Sequence, residues 1–449
     1  MEMEDKQFDA VVVGAGLAGL TCALELTEKG YKTLVLEANH VVGGRTSSWV
    51  ENGMHVESGF HRVIGYYKQY PAVLAKAGVD VNKIVNWEER MDVRSPIKER
   101  IATFGIAPLH GPVKMLQGIL GNNDILSFSD KLSLLPFFVK GFWDYLNHPE
   151  ELDKVSIHEY AKKHGVHDDA YHILLFPLTA GLFFLPPERY SAYVFFGLCF
   201  PAVTRFYKMR IGAYLGGMTE MTTKPIADAI ETKGGTVRTG VKVDRLLYQD
   251  GIVTGVAFKQ EEIKAKQTVV ATELGAAKRI LKQSGINHEG LAKMMKLPTM
   301  PAVTIQMELD KPLIPYDRTT FGAGTALVSF AEQSRTTFKH VPGRLSVILG
   351  PSDRFLDMKP EQVLEITIEE ARKIGLDIKP HLKDYRIVSH PEDFHSLEPG
   401  HDWMRPDQST PIRGLTLAGD YTRQPYFATM EGAVISGQRA AQIVLQYLH

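Results

Sequence analysis

Asp9-Ala10-Val11-Val12-Val13-Gly14-Ala15-Gly16-Leu17-Ala18-Gly19 is the stretch on which the reading of this chain turns. Ala10 to Val13 has the length and β-branched content of a buried parallel strand, and Leu17, Leu20 and Leu24 then recur at helical spacing until Gly30 stops the pattern. A second apolar run, Thr33-Leu34-Val35-Leu36, ends on Glu37. Glycines alone would fit any strand-to-helix turn, but strand, glycines, helix, second strand and terminal acid together make a βαβ dinucleotide-binding unit.

Each residue of the glycine segment has a mechanical part in such a unit. Gly14 allows the turn out of the strand, Gly16 lets backbone approach a pyrophosphate, and Gly19 lets helix pack on sheet. Ala15, Leu17 and Ala18 present the helix N-terminus, whose free N–H groups and positive dipole end suit phosphate. Glu37, followed by Ala38, lies eighteen residues beyond Gly19, near the spacing of ~20 expected for an acid on a ribose 2′-OH, which disfavours a 2′-phosphorylated cofactor. Gly43-Gly44-Arg45 follows within a few residues. Two more glycines permit a second close backbone approach, and the Arg45 fork can neutralise phosphate.

From Glu37 through Ala38-Asn39-His40-Val41-Val42-Gly43-Gly44-Arg45-Thr46 the chain resembles the flavin amine oxidase and carotenoid desaturase superfamily. The resemblance implies FAD. It also places Gly59, Phe60 and His61 beside the flavin, with Glu57 in the same stretch, and Val243 against the adenine. Gly414 to Asp420 reads as a strand ending in Gly-Asp, and Met430-Glu431-Gly432-Ala433 opens a helix with Val434, Gly437, Ala441, Val444 and Leu448 on one face. The resemblance gives Gly419 and Asp420 the ribityl chain, and Thr429, Met430 and Ala433 the pyrimidine end.

Monoamine-type oxidases carry an aromatic residue directly before Met-Glu-Gly-Ala; this chain has Thr429. The run Leu417 to Val434 instead resembles the plant and cyanobacterial phytoene and ζ-carotene desaturases, as do Glu57-Ser58-Gly59-Phe60-His61, the Ile106-Ala107-Pro108 turn and Arg205-Phe206. That branch implies a long apolar isoprenoid substrate, hydride passing to flavin N5, and reoxidation by a quinone or O2. Gly43-Gly44-Arg45 departs from it, since those desaturases usually carry lysine there. An oxidase of a small amine, a squalene-pathway dehydroxylase and a non-enzymatic flavin-bound scaffold stay open.

The 449 residues imply ~2 to 4 domains. The expected fold is α/β: a discontinuous Rossmann-like FAD-binding domain from residues 1–90, 205–275 and 384–449, and an α+β substrate domain from 91–204 and 276–383 with a helical, apolar, membrane-facing part. A strand is expected over 236–247 and a helix over 218–233. Net charge is −1, so no global field favours nucleic acid. Cys22 and Cys199 are the only cysteines and form no disulfide framework, and Met1 to Phe8 is polar, which together suggest the cytoplasm. The histidines lack metal-ligand spacing, His158-Glu159 to His164 included, so no metal is expected. Self-association stays open.

Tyr190 to Val203 is nearly all apolar or aromatic, and Arg205, Lys208 and Arg210 follow. This is the pattern of a segment lying peripherally in a bilayer interface, or of a buried helix with a basic end. No run is long and uncharged enough to span a membrane. Arg205 is the candidate catalytic residue: beside an apolar channel a cation needs a partner, which can be a quinone carbonyl, a lipid headgroup or a structural carboxylate.

Overall fold

The computed structural model describes residues 7–96, 100–105 and 126–448; the expected turn at Ile106–Pro108 lies outside them. Its first layer is a parallel sheet in which Phe8–Val13 (β1) lies between Thr33–Leu36 (β2) and Glu261–Val270, Thr236–Arg238 adds beyond β2, and Leu415–Leu417 adds beyond Glu261–Val270. Val12 pairs with Val35 on one side and Val269 on the other. Ala10, Val11 and Val12 are wholly buried, which is why the run carries no alternation of polar residues. Helix Leu17–Thr27 (α1) packs against the C-terminal helix Met430–Leu448, and a Cβ on Gly437 would stand 2.3 Å from the Ala18 carbonyl oxygen. Only glycine permits that approach.

The strand expected over 236–247 divides in two. Thr236–Arg238 holds one edge of the sheet, while Arg245–Gln249 pairs with Ile252–Phe258 at the other, through a turn with Asp250 and Gly251 at φ 52° and 78°. The break falls at Gly240, φ 71°, where the chain crosses the end of β2: the Gly240 N–H donates to Asn39 O and the Val241 N–H to Glu37 O. The helix expected over 218–233 is a π turn, Thr219–Thr223, continuing as Lys224–Thr232.

A second, mixed sheet runs in the order Leu382–His395, Thr299–Leu309, Gly343–Leu349, Leu327–Glu332, Thr320–Gly322, Arg90–Ser95, Arg100–Gly105. Val303, Ile305, Phe330, Val347 and Leu349 fill one face together with Val363 and Ala371 of helix Pro360–Lys373. Thr304, Ile348 and Ser329 stand side by side on the other through the pairings Thr304–Ile348 and Ile348–Ser329. Two expected boundaries shift with this packing. Helix Leu274–Gln283 buries Ala277, Ile280 and Leu281 with the nucleotide sheet, and Leu382–His395 pairs with the second sheet.

The two layers meet at a seam of side chains. Gln306 offers its amide to the backbone of Glu57 as another strand would, accepting from the N–H at 3.1 Å and donating to the carbonyl at 2.6 Å. Arg344, wholly buried, donates to His55 O and to the Gln306 amide oxygen.

Of the two readings of Tyr190 to Val203, the buried helix holds for its first half, while Val203 and, in the basic end beyond it, Lys208 are exposed. In helix Ala192–Thr204, residues Ala192, Val194, Phe195 and Phe196 are buried among Phe137, Tyr160 and Phe427. A Cβ on Gly141 would overlap the Phe196 ring, so that ring sits directly on helix Phe128–Asn147. What the sheet and bundle leave uncovered is the other face of this helix: Phe128, Leu132, Leu135, Val139, Trp143 and Leu146 are all exposed, at spacings of three and four. Among the described residues no helix is long and apolar enough to cross a membrane.

Candidate cofactor and substrate cavity

A cavity of about 1250 Å³ runs from the glycine loops to the second sheet. At one end the two glycine segments are docked on each other. The Gly43 N–H donates to Ala15 O at 2.8 Å, and a Cβ on Gly44 would lie 3.6 Å from Gly16 Cα. At Gly16 a Cβ would meet nothing nearer than 4.0 Å, so this backbone borders open cavity rather than protein. Gly19 is the opposite case, with its Cβ position 2.0 Å from Gly14 O. Gly14 takes φ 104° and Gly43 φ 120°, which L side chains rarely adopt. No side chain caps α1, so its first N–H groups and positive dipole end stay available at the cavity.

Glu37 closes this end, its carboxylate accepting from the Ala15 and Asn39 N–H groups, each at 2.8 Å. Burial pushes its carboxyl pKa up against those bonds. Arg45 forms a two-pronged pair with Asp420 and reaches to within 4.0 Å of Asp393. Burial disfavours the Arg45 charge, but the two carboxylates outweigh it and hold the guanidinium above its ordinary range. His61 is driven down to about 4 by burial and by His390, and so is neutral.

At the start of the C-terminal helix the Thr429 hydroxyl accepts from the Gly432 N–H, and Met430 and Ala433 line the cavity. Glu431 turns away from it. Its carboxylate accepts from the N–H groups of Lys68, Gln69 and Tyr70 and caps helix Gln69–Lys76.

Gly14, Gly16, Leu17, Ala18, Glu37, Ala38, Gly43, Gly44, Arg45, Gly59, Phe60, His61, Val243, Gly419, Asp420, Thr429, Met430 and Ala433 all line this one cavity. Ala15 and Gly19 sit behind the wall as packing and hydrogen-bonding positions. Arg205 is not part of the wall either. It ends helix Ala192–Thr204 and donates to Tyr66 O at 3.0 Å and to the Tyr426 hydroxyl at 3.3 Å. It supports Tyr66, which does line the cavity.

The far end is mostly apolar, and no sequence motif marks it. Leu174, Leu178 and Leu182 cover the second sheet, where Ala302, Thr304, Ile348, Ser329, Phe321 and Thr319 form the floor. Asp393, Glu392 and His390 enter from strand Leu382–His395 with no motif to announce them; the His390 ring bonds Ser58 O at 2.9 Å.

Residues 17–445 match the family model of flavin containing amine oxidoreductases. The chain belongs to that family. Within it, the chain is 28% identical over 465 residues to the 15-cis-phytoene desaturase of Solanum lycopersicum, covering 98% of this chain and 78% of that protein. It is 27% identical to the 15-cis-phytoene desaturase of Synechococcus elongatus, covering 97% and 95%. The structure of an oxidoreductase from Methanosarcina mazei aligns with a TM-score of 0.75 at 20% identity, over 96% of this chain and 99% of that one, and so shares the fold.

This family member is an FAD-dependent oxidoreductase, and its cavity fits the cofactor on independent grounds. The Gly16 and Gly44 backbones leave free space between an uncapped helix N-terminus and Arg45, where a pyrophosphate needs it. Asp393 Oδ1, buried and without a hydrogen-bond partner, supplies an acceptor on the same wall.

Proposed function

We propose that this flavoprotein dehydrogenates a long apolar isoprenoid, introducing a carbon–carbon double bond as the phytoene desaturases it resembles are named for. The observation that carries the reading is the continuity of the cavity: one space joins the glycine loops to a floor and roof of Leu174, Leu178, Leu182, Ile348 and Phe321. A dinucleotide occupies the first end and an extended hydrocarbon chain suits the second.

FAD, when bound, supplies the two-electron acceptor. The chain's own residues do the rest. Gly14, Gly16 and the α1 N-terminus take the pyrophosphate, Gly43, Gly44 and Arg45 cover it, Glu37 takes the adenosine ribose and Val243 the adenine. With FAD bound, Asp420, held by Arg45, would orient the ribityl hydroxyls, and the Thr429–Ala433 turn would bring a positive helix end to the isoalloxazine. The leucine roof excludes water and holds an allylic C–H in line, which is a placement task. Arg205 is a positioning residue here, fixing the Tyr66 side of the cavity. The proposed electron acceptor is a quinone or O2.

Peripheral membrane contact belongs to the same proposal, moved to helix Phe128–Asn147, whose exposed Leu132, Leu135, Val139 and Trp143 can enter an acyl boundary. The experiment is reconstitution with FAD in liposomes carrying phytoene or a related polyene, following red-shifted absorbance as conjugation lengthens. Failure of any isoprenoid to reduce the flavin, with soluble amines releasing peroxide instead, overturns the assignment.

A further inference from the structure

Of the described residues that line the cavity, the exposed ones all lie at its cofactor end: Ala38 and Asn39 after β2, Lys242 beside Val243, Arg279 and Gln283 on helix Leu274–Gln283, and Pro391 and Glu392 on strand Leu382–His395. Those that line the apolar end are buried or half-buried. The cavity therefore opens to solvent where the nucleotide layer faces the second sheet, and a cofactor passes this mouth to enter or leave. One ion pair crosses it. Arg279, from the nucleotide layer, bonds Glu392, from the second sheet, and stands 3.6 Å from Glu273. Glu392 reaches this position because residue 275 is glycine, where a Cβ would overlap the Glu392 carboxylate. Gly275 is the second residue of a helix whose N-terminus has no side-chain cap, so the carboxylate also meets the positive end of the helix dipole. Ala276, Arg279, Ile280 and Gln283 turn one face of the same helix to the cavity.

We infer that Arg279, Glu392 and Gly275 form a clasp across the mouth of the cavity that gates the passage of FAD. A bridge of this kind has to part for entry as for exit, so it slows both and leaves affinity nearly unchanged. Charge alone gives the opposite expectation for Glu392. Glu37, Glu273, Glu392, Asp393 and Asp420 line this end against Arg45, Lys242 and Arg279, and the cofactor adds a pyrophosphate dianion. If Glu392 acted only through its charge, its removal would relieve repulsion and tighten the cofactor. As half of a clasp, its removal lets the cofactor go sooner. The side chains of Arg279 and Glu392 are 55% and 45% exposed, so the bridge is screened by water and its effect is modest. The inference rests on FAD as the cofactor and not on the isoprenoid reading, which survives its failure.

The test dilutes the FAD-loaded enzyme and follows released flavin in rapid-filtration samples, with uptake of FAD by the apoprotein timed separately. Glu392→Gln is expected to release and take up FAD about two- to fivefold faster than wild type, the size of an exposed ion pair. Gly275→Ala changes no charge and only displaces the carboxylate, so it should accelerate both rates to the same extent. Apoprotein Tm, measured alongside, separates a lost clasp from lost folding, and the clasp predicts faster exchange at unchanged Tm. Slower release from Glu392→Gln means that charge, not bridging, is its role and overturns the inference. Wild-type exchange in Gly275→Ala overturns it as well, and so does faster release that appears only together with a fall in apoprotein Tm.

Discussion

The cavity's two ends are walled by different parts of the polypeptide. Around Gly14–Gly19 and Gly43–Gly44 the ligand meets backbone, and selectivity comes from where side chains are missing. Across Ala302–Thr304, Ser329 and Ile348 it meets side chains projected from three neighbouring strands, so composition can change without moving the frame. A cofactor common to a family can be held by geometry that almost no substitution improves. A substrate is met by a surface that substitution can rewrite, which is how a chain 28% identical to a phytoene desaturase can keep the cofactor and differ in what it oxidises.

The largest expected effect separates the two ends by stability. Phe196→Ala removes a wholly buried ring from the aromatic bundle that backs the substrate end and should cost about 3–5 kcal/mol. Calorimetry should show a large drop in Tm while the folded fraction still carries FAD. Equal loss of cofactor would mean that the ends are one cooperative unit.

The glycines come next. Gly19→Ala forces a methyl against the Gly14 carbonyl and should cost roughly 1–3 kcal/mol or more, with flavin lost on purification. Gly16→Ala has room in the protein, so the apoprotein Tm should hold while FAD affinity falls at least about tenfold, because the methyl occupies the pyrophosphate's approach. A Gly16→Ala enzyme that binds FAD normally would remove the backbone rule from that wall.

Glu57 reports on the seam between the ends. Burial lifts its carboxyl from an ordinary value near 4.5 to about 8, against the Met218 N–H bond and the Arg344 charge. A raised acid favours the folded state while protonated, so its contribution is fully present below about 4.5 and is lost as pH rises to about 8, by at most ~1.4 kcal/mol per pH unit. Glu57→Gln should flatten denaturant stability across that window and exceed wild type at pH 8. A parallel slope in both proteins would place the ionisation elsewhere.

The smallest effect is on folding and the clearest on location. Leu135→Asp with Trp143→Glu changes exposed positions and should move stability by no more than about 0.5 kcal/mol each, yet flotation with anionic liposomes should fall sharply. Unchanged flotation would leave that face without a membrane role.

The cofactor wall was legible because its determinants are local: a strand, a glycine at each forced approach and an acid at fixed distance all lie within forty residues. The pairing of Arg45 with Asp420 was not, since each was expected to meet the cofactor separately and they are 375 residues apart. The floor was invisible for a deeper reason. Thr304, Ile348 and Ser329 become neighbours only through strand registers that no single stretch encodes. Tyr190–Val203 left two readings open because an apolar run does not say what covers it, and Phe137, from a helix fifty residues earlier, covers Phe195 and Phe196. The exposed stripe from Phe128 to Leu146 had the periodicity to be found, but Leu134, Phe137 and Gly141 on its buried face blur it into general hydrophobicity.

The Glu431 carboxylate bonds three backbone N–H groups more than 360 residues upstream. During synthesis, helix Gln69–Lys76 therefore leaves the ribosome without its cap and waits until Glu431 has been made. The fifth parallel strand, Leu415–Leu417, is equally late. A chain that stops before residue 415 lacks both this strand and the Glu431 cap, so it should be more readily cut by proteases than the same chain extended through Glu431.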